Sequence, residues 1–286
     1  MTIQKPVAFA LNPEDREYRY RISKVLLLGL FKKGLTLHGA RVLHGLVHSV
    51  CRQTTNWHDG TAPQFPFPYR IRCLELRRNL GLEKANGNAA LKAGLQNLEQ
   101  LSFLEEYAFC HWNQWLEFNL TEKAFALLFD IQPYGLFDIR DAASLSSTLD
   151  FLIYETTGIA RRKRAPEFDL CADTHFGGAD LVLDWPRLRP KLVSALQKSA
   201  RIFGVKFVVI CEARGSRLGI DEVKIRISGA GTLWSNKSLS SMPNTARKVI
   251  LISHDQALEI SPADAPQLVP KLAQQPDKNR AADLRL

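Results

Sequence analysis

Apolar residues recur along this chain at two periods, in blocks set apart by polar, Gly- and Pro-rich stretches. After Thr36, the positions Ala40, Leu43, Leu46, Val47 and Val50 return at three- and four-residue steps. They predict a helix capped by Thr36 and running to about Arg52. A turn-rich stretch spans Thr54 to Pro68. A short helix is expected from about Arg72 to Leu80, stopped by Gly81. Asn86-Gly87-Asn88 reads as a turn and a cap for a third helix, Ala89 to about Leu101, with Leu91, Leu95, Leu98 and Leu101 on one side. Two strand-like runs follow, Phe103–Phe109 and Trp115–Leu120, joined by a loop over Cys110–Gln114.

Helix, helix, turn, helix, hairpin is the order of a winged helix-turn-helix. In that motif the third helix enters a major groove and the hairpin forms the wing. Further on, Thr121 is expected to cap a helix over Glu122–Phe129. Tyr134–Ile139 reads as a short strand, and Asp141 as the cap of a helix reaching about Thr156. Arg161-Arg162-Lys163-Arg164-Ala165-Pro166 has the composition of a linker. Beyond it, Asp184 and Pro186 resemble a helix start, but Pro190 places the helix proper at Pro190–Phe203, since proline breaks a helix interior. Leu192, Ala195, Leu196 and Ile202 form its apolar side and Gly204 ends it. The strand Val205–Cys211, the basic loop Ala213–Arg217 and the alternating strand Val223–Ser228 complete a second helix-plus-hairpin.

These patterns predict an α+β protein with two winged-helix-like domains in tandem. Residues 1–34 form a lead-in holding one apolar helix or strand near Ile22–Phe31. Residues 35–160 form the first domain and 165–228 the second. Residues 229–286 are an extension expected to be partly disordered, Gly- and Ser-rich at first and, from Ser261 on, rich in Pro, Ala, Gln and Asp, where a frayed tail is expected.

Charge sharpens the picture. The 286 residues carry 38 Lys and Arg against 29 Asp and Glu, a formal +9, which favours a polyanionic partner. The excess is concentrated. Between Trp185 and Arg217 stand Arg187, Arg189, Lys191, Lys198, Arg201, Lys206, Arg214 and Arg217, with Glu212 the one carboxylate. Such a helix and wing suit phosphate neutralisation. Lys191, Lys198 and Arg201 are candidate base readers there, and Arg187, Arg189, Arg214 and Arg217 candidate phosphate contacts. In the first domain the polar side of the third helix carries Asn88, Lys92, Gln96, Asn97 and Gln100. Lys92, Gln96 and Asn97 are its candidate base readers. Glu105 and Glu106 in the first wing oppose phosphate contact there.

Other chemistry finds less support. Cys51, Cys73, Cys110, Cys171 and Cys211 are dispersed and form no CxxC, as expected of reduced thiols in a cytoplasmic protein. His44 and His48 lie one helical turn apart but lack HExxH and a carboxylate partner, so no metal and no cofactor are expected. There is no P-loop and no GxSxG. Tyr134 and Tyr154 lie on apolar stretches and read as core. The N-terminus lacks a signal-peptide layout, and the longest apolar run, Val25–Phe31, is far short of the roughly 18 residues of a spanning helix, so no membrane partner is expected. Asp180, Asp184 and Glu212-Ala213-Arg214 loosely match a metal-dependent nuclease core. Arg214 stands where such a core uses Lys, and arginine is a poor base. A non-enzymatic reading is preferred.

The layout over residues 35–228 resembles the plasmid replication initiators that carry two winged-helix domains. The likeness rests on the helix and hairpin from Asn88 to Asn119, including Leu95-Gln96-Asn97-Leu98. It rests also on Tyr134–Ile139 followed by Leu145-Ser146-Ser147 and Ile153-Tyr154-Glu155, and on the helix running into a strand over Leu188–Val208. Asp173–Asp180, with Gly177-Gly178, departs from it where a middle helix would stand. The resemblance implies that the first domain supports homodimerisation and contact with the inner part of each repeat. It implies that the second binds the repeated origin sequences as double-stranded DNA, and that host replication proteins are further partners. A winged-helix transcriptional repressor would use the same fold and charges.

Overall fold

The computed structural model describes residues 18–54, 65, 68–82, 88–129, 134–163, 165–170, 185–213, 220, 222–229 and 241–274. The fold is α+β with antiparallel sheets, and the chain divides into two compact units, residues 1–151 and 152–286. The division falls within a helix, Thr148–Ala160, ahead of the basic run at 161–164.

The first unit begins earlier than expected. Strand β1 (Arg19–Ser23) leads directly into helix α1 (Lys24–Lys32), which Ser23 caps by accepting a hydrogen bond from the Leu26 amide. The supposed lead-in is thus built into the domain, and β1 pairs antiparallel with β5 (Tyr134–Asp138). Its alternation is short but clean: Tyr20 and Ile22 point inward and are buried.

Helix α2 (Leu37–Gln53) starts at the Thr36 cap, whose hydroxyl accepts from the Gly39 amide at 3.1 Å. Strand β2 (Tyr69–Arg72) was not anticipated; it precedes α3 (Cys73–Asn79). Helix α4 (Ala89–Gln100) follows. Asn88 stands at its cap position, but its side chain makes no capping hydrogen bond, correcting the expected role. Strands β3 (Leu104–Cys110) and β4 (Trp115–Leu120) form the hairpin, and the sheet order is β2-β4-β3. Helices α2, α3 and α4 with this sheet form the winged-helix arrangement. Leu43, Leu46 and Val47 of α2, Leu91, Leu95 and Leu98 of α4, and Leu116, Phe118 and Leu120 of β4 are all buried in it.

Helix α5 (Glu122–Phe129) is capped by Thr121 as expected, through the Ala124 amide. The single helix expected from Asp141 is two. Asp138 caps the short α6 (Ile139–Ala142), and α7 (Thr148–Ala160) starts afresh. The break is set by a reciprocal capping box. The Ser147 hydroxyl accepts from the Asp150 amide, while the Asp150 carboxylate accepts from the amides of Ser146 and Ser147 at 2.8 and 3.0 Å.

In the second unit, β6 (Glu167–Leu170) precedes α8 (Trp185–Phe203), then β7 (Val205–Glu212) and β8 (Glu222–Gly229) form the expected hairpin. Two corrections stand out. Helix α8 begins at Trp185, so Pro190 lies inside it. Proline's fixed φ is helical, and this early in the helix it removes only the bond to the carbonyl of Pro186. Burial of Leu192, Ala195, Leu196 and Ala200 further along offsets that loss.

The extension expected to be partly disordered also holds β9 (Ala246–Ile252) and β10 (Ala257–Ile260), and the tail expected to fray holds α9 (Ala265–Gln274). The sheet has five antiparallel strands in the order β10-β9-β7-β8-β6. Strand β7 is therefore central, which explains its nearly unbroken apolar sequence: a strand covered on both faces needs no polar alternation. One face, with Val208, Ile210, Val249, Leu251 and Ile260, packs under Ala265 and Val269 of α9. Helix α8 packs on β7 and β9. Among the described residues no helix is long and apolar enough to cross a membrane.

Candidate nucleic-acid interface

Helix α8 sorts its side chains by helical phase. Arg187, Lys191, Ser194, Lys198 and Arg201 follow one another at steps of four, three, four and three, so they form one stripe along the helix. The apolar residues Leu192, Ala195, Leu196 and Ala200 lie on the other side and are buried. Arg187, Lys191, Ser194 and Arg201 are exposed, and Lys198 is half-buried. Cations of one sign on an outward helix face suit phosphates and base edges.

Arg189 falls outside the stripe. Its guanidinium donates to Glu259 of β10 at 2.7 Å, and the other oxygen of Glu259 meets the Lys248 ammonium of β9 at 3.2 Å. The expected phosphate contact is thus already engaged by a carboxylate. Glu259 lies 70 residues along the chain, in the C-terminal extension, so the charge tally between Trp185 and Arg217 could not include it. Replacing Arg189 with Ala is expected to leave the salt dependence of any polyanion binding unchanged and to cost at most about 1 kcal/mol of stability, because the pair is exposed. A salt titration beside a thermal melt checks both. Arg214 and Arg217 lie outside the described residues.

Glu212 ends β7 buried. It accepts from the Thr245 hydroxyl at 2.6 Å and has the Lys224 ammonium at 3.8 Å. These contacts turn it toward a Thr and a Lys. Asp180 and Asp184, the other members of the nuclease pattern, lie outside the described residues. Next to it Cys211 is buried in the sheet, and desolvation pushes its thiol up to about 12, which keeps it protonated and inert.

On α4 of the first unit, Lys92 and Gln96 are exposed four residues apart on one face, and the exposed Glu99 shares it. Asn97 is elsewhere. Its Oδ1 accepts from the Thr36 amide at 2.9 Å and from the Thr36 hydroxyl at 3.1 Å, and its Nδ2 donates to the Gly34 carbonyl at 3.4 Å. Asn97 therefore pins the turn before α2 to α4, against its expected base-reading role: the oxygen that would accept from adenine already takes two bonds from Thr36, and one amide N–H is held by Gly34. Asn97→Ala should lower stability by about 1–2 kcal/mol in a thermal or urea melt without altering preference among DNA sequences.

Sequence reasoning missed the outer face of the β2-β4-β3 sheet. Arg70 and Arg72 stack over the Trp115 ring, at 4.4 and 5.0 Å from its centroid. Arg70 also meets Glu117 at 3.3 Å. The signal was present in Tyr69-Arg70-Ile71-Arg72, which alternates apolar and basic residues at period two. Lys92 lies over the Phe109 ring at 5.7 Å, so the exposed edge of α4 and the hairpin contact each other.

His44 and His48 are buried against Tyr20, both edge-on, and the Tyr20 hydroxyl is hydrogen-bonded to His44 Nδ1. Among the described residues no cluster of three or more His, Cys, Asp or Glu is placed to hold a metal. Tyr154 is buried and stacked on Phe203, a packing role.

No protein-family model matches the chain, and no curated relative matches it. Solved structures do. The chain is similar to the Pi initiator protein, whose crystal structure holds it in complex with iteron DNA, with a TM-score of 0.50 and 12% identity. The match covers 76% of this chain and 98% of that one. At that identity the likeness is one of fold.

Proposed function

We propose that this protein binds specific duplex DNA sequences, without catalysis, as a plasmid-type replication initiator recognising repeated origin sites. The observation that carries the reading is the stripe Arg187-Lys191-Lys198-Arg201 on the outward face of α8, set on a fold like that of an initiator solved with its iteron DNA. Cations at one-turn intervals neutralise phosphates and release counterions, which supplies affinity. Long polar side chains in a groove supply sequence discrimination. The winged-helix first unit, with Lys92 and Gln96 exposed on α4, offers a second DNA-facing helix.

The test is a binding titration at two salt concentrations, with random duplex and with duplex from the gene's own upstream region. Tight, salt-sensitive binding that favours repeated upstream sites supports the reading, and loss of plasmid copy number on deletion separates an initiator from a repressor. Absence of binding at low salt overturns it.

A further inference from the structure

The turn joining β3 to β4 runs through His111, Trp112, Asn113 and Gln114, and the Gln114 amide closes it on the His111 carbonyl at 3.1 Å. His111, Trp112 and Asn113 all have left-handed backbone, with φ of 51°, 57° and 64°. Glycine and asparagine take this conformation at low cost, whereas residues such as His and Trp do so against a steric penalty. Trp112 sits at the crest of the turn, 97% exposed, and leaves its whole indole in water.

The surroundings define the partner. The cations Arg70 and Arg72 lie behind the tip on Trp115, and Arg72 is paired with Trp115 in the strand register. Glu105 and Glu106 stand at the root of the hairpin, roughly 17 Å back along the strand from the tip at 3.4 Å per residue. Glu106 is held there by Asn119 at 2.7 Å. Glu117, the carboxylate nearer the tip, is bound by Arg70. The end that projects is thus aromatic and cationic, and the contact between Lys92 and Phe109 joins it to the exposed edge of α4.

We infer that Trp112 is a wedge that inserts at a base step in the minor groove of duplex DNA and stacks on the opened base, with Arg72 on the adjoining phosphate. This rests on the DNA-binding reading above. Apolar side chains at the end of a basic element unstack base steps in this way and kink the duplex, and an indole stacks on any base because every base has a π-face. The carboxylates at the hairpin root, which spoke against phosphate contact by the wing, stay clear of a duplex met tip-first.

The experiment uses the full chain and a 30-base-pair random duplex with 2-aminopurine at a central step, with a 30-nucleotide oligo(dT) as the single-stranded probe. Trp112→Ala is expected to weaken duplex binding about tenfold, within the range of one base stack, and to abolish the change in 2-aminopurine fluorescence that binding of the wild-type protein produces. Trp112→Phe should retain most of both. Because Trp112 is exposed, neither change should move the thermal transition. Wild-type duplex affinity in Trp112→Ala overturns the inference while leaving the DNA-binding reading intact. Loss confined to oligo(dT) also overturns it, in favour of an unpaired strand. Failure of the wild-type protein to bind either probe at low salt overturns both.

Discussion

Replacing Lys191 and Arg201 together with Ala should weaken duplex binding about 100-fold near physiological salt and reduce the slope of log affinity against log salt by about two. Each change removes one charge-assisted contact of about 1.5 kcal/mol or more, and two such losses approach 3 kcal/mol, or two decades in affinity. Both residues are exposed on the outer stripe of α8, so the fold should hold. The matched control is Arg189→Ala. It removes the same charge from the same helix, but from a side chain bound to Glu259. If the control lowers the slope as much per charge removed as the double variant does, the effect is one of net charge and the stripe is not the contact surface. If neither lowers it, the assignment of α8 fails. A charge-reversed pair, Lys191→Glu with Arg201→Glu, should eliminate measurable binding.

The second large effect concerns stability. Helices α2 and α4 cross where Gly94 faces the backbone of His38. A Cβ at Gly94 would stand 2.5 Å from the His38 carbonyl oxygen and 2.5 Å from Val42 Cγ2. The first of these is backbone and cannot swing away, so the helices must part and loosen the apolar contact of Leu91, Leu95 and Leu98. Gly94→Val should cost about 3 kcal/mol and lower Tm by roughly 10 °C in a domain of this size. Gly29→Ala in α1 is the control. Nothing lies within 4 Å of its added Cβ, and removing a helical glycine should leave stability unchanged or raise it by up to about 1 kcal/mol. Equal melting of the two variants would contradict the close crossing. This crossing also sets where α4 presents Lys92 and Gln96, the side chains proposed to face DNA.

Local pattern carried much of this protein. The apolar rows of Ala40–Val50 and Leu91–Leu101, the Thr36 and Thr121 caps and the alternation of Val223–Ser228 each express a rule that acts within a few residues, and each element formed where its rule placed it. Lys191, Lys198 and Arg201 of the α8 stripe were legible for the same reason, since helical phase follows from spacing, whereas Arg187 joins them because the helix begins at Trp185. What spacing could not reach were contacts across the chain. Asn97 looks like a base reader by type and is a clamp because Thr36 lies against it. Arg189 looks like a phosphate contact until β10 brings Glu259 alongside. The stretch after Ser228 reads by composition as a Gly- and Ser-rich extension, yet β9 supplies Val249, Ile250, Leu251 and Ile252 to an open edge of β7, and pairing with an existing strand stabilises a segment that has little tendency to order alone. By itself, then, the sequence determined the helices and hairpin of the first winged-helix unit, the β7–β8 hairpin and most of the cationic face. Tertiary structure decided which polar side chains remain available to a partner, because that depends on what distant segments have already bound.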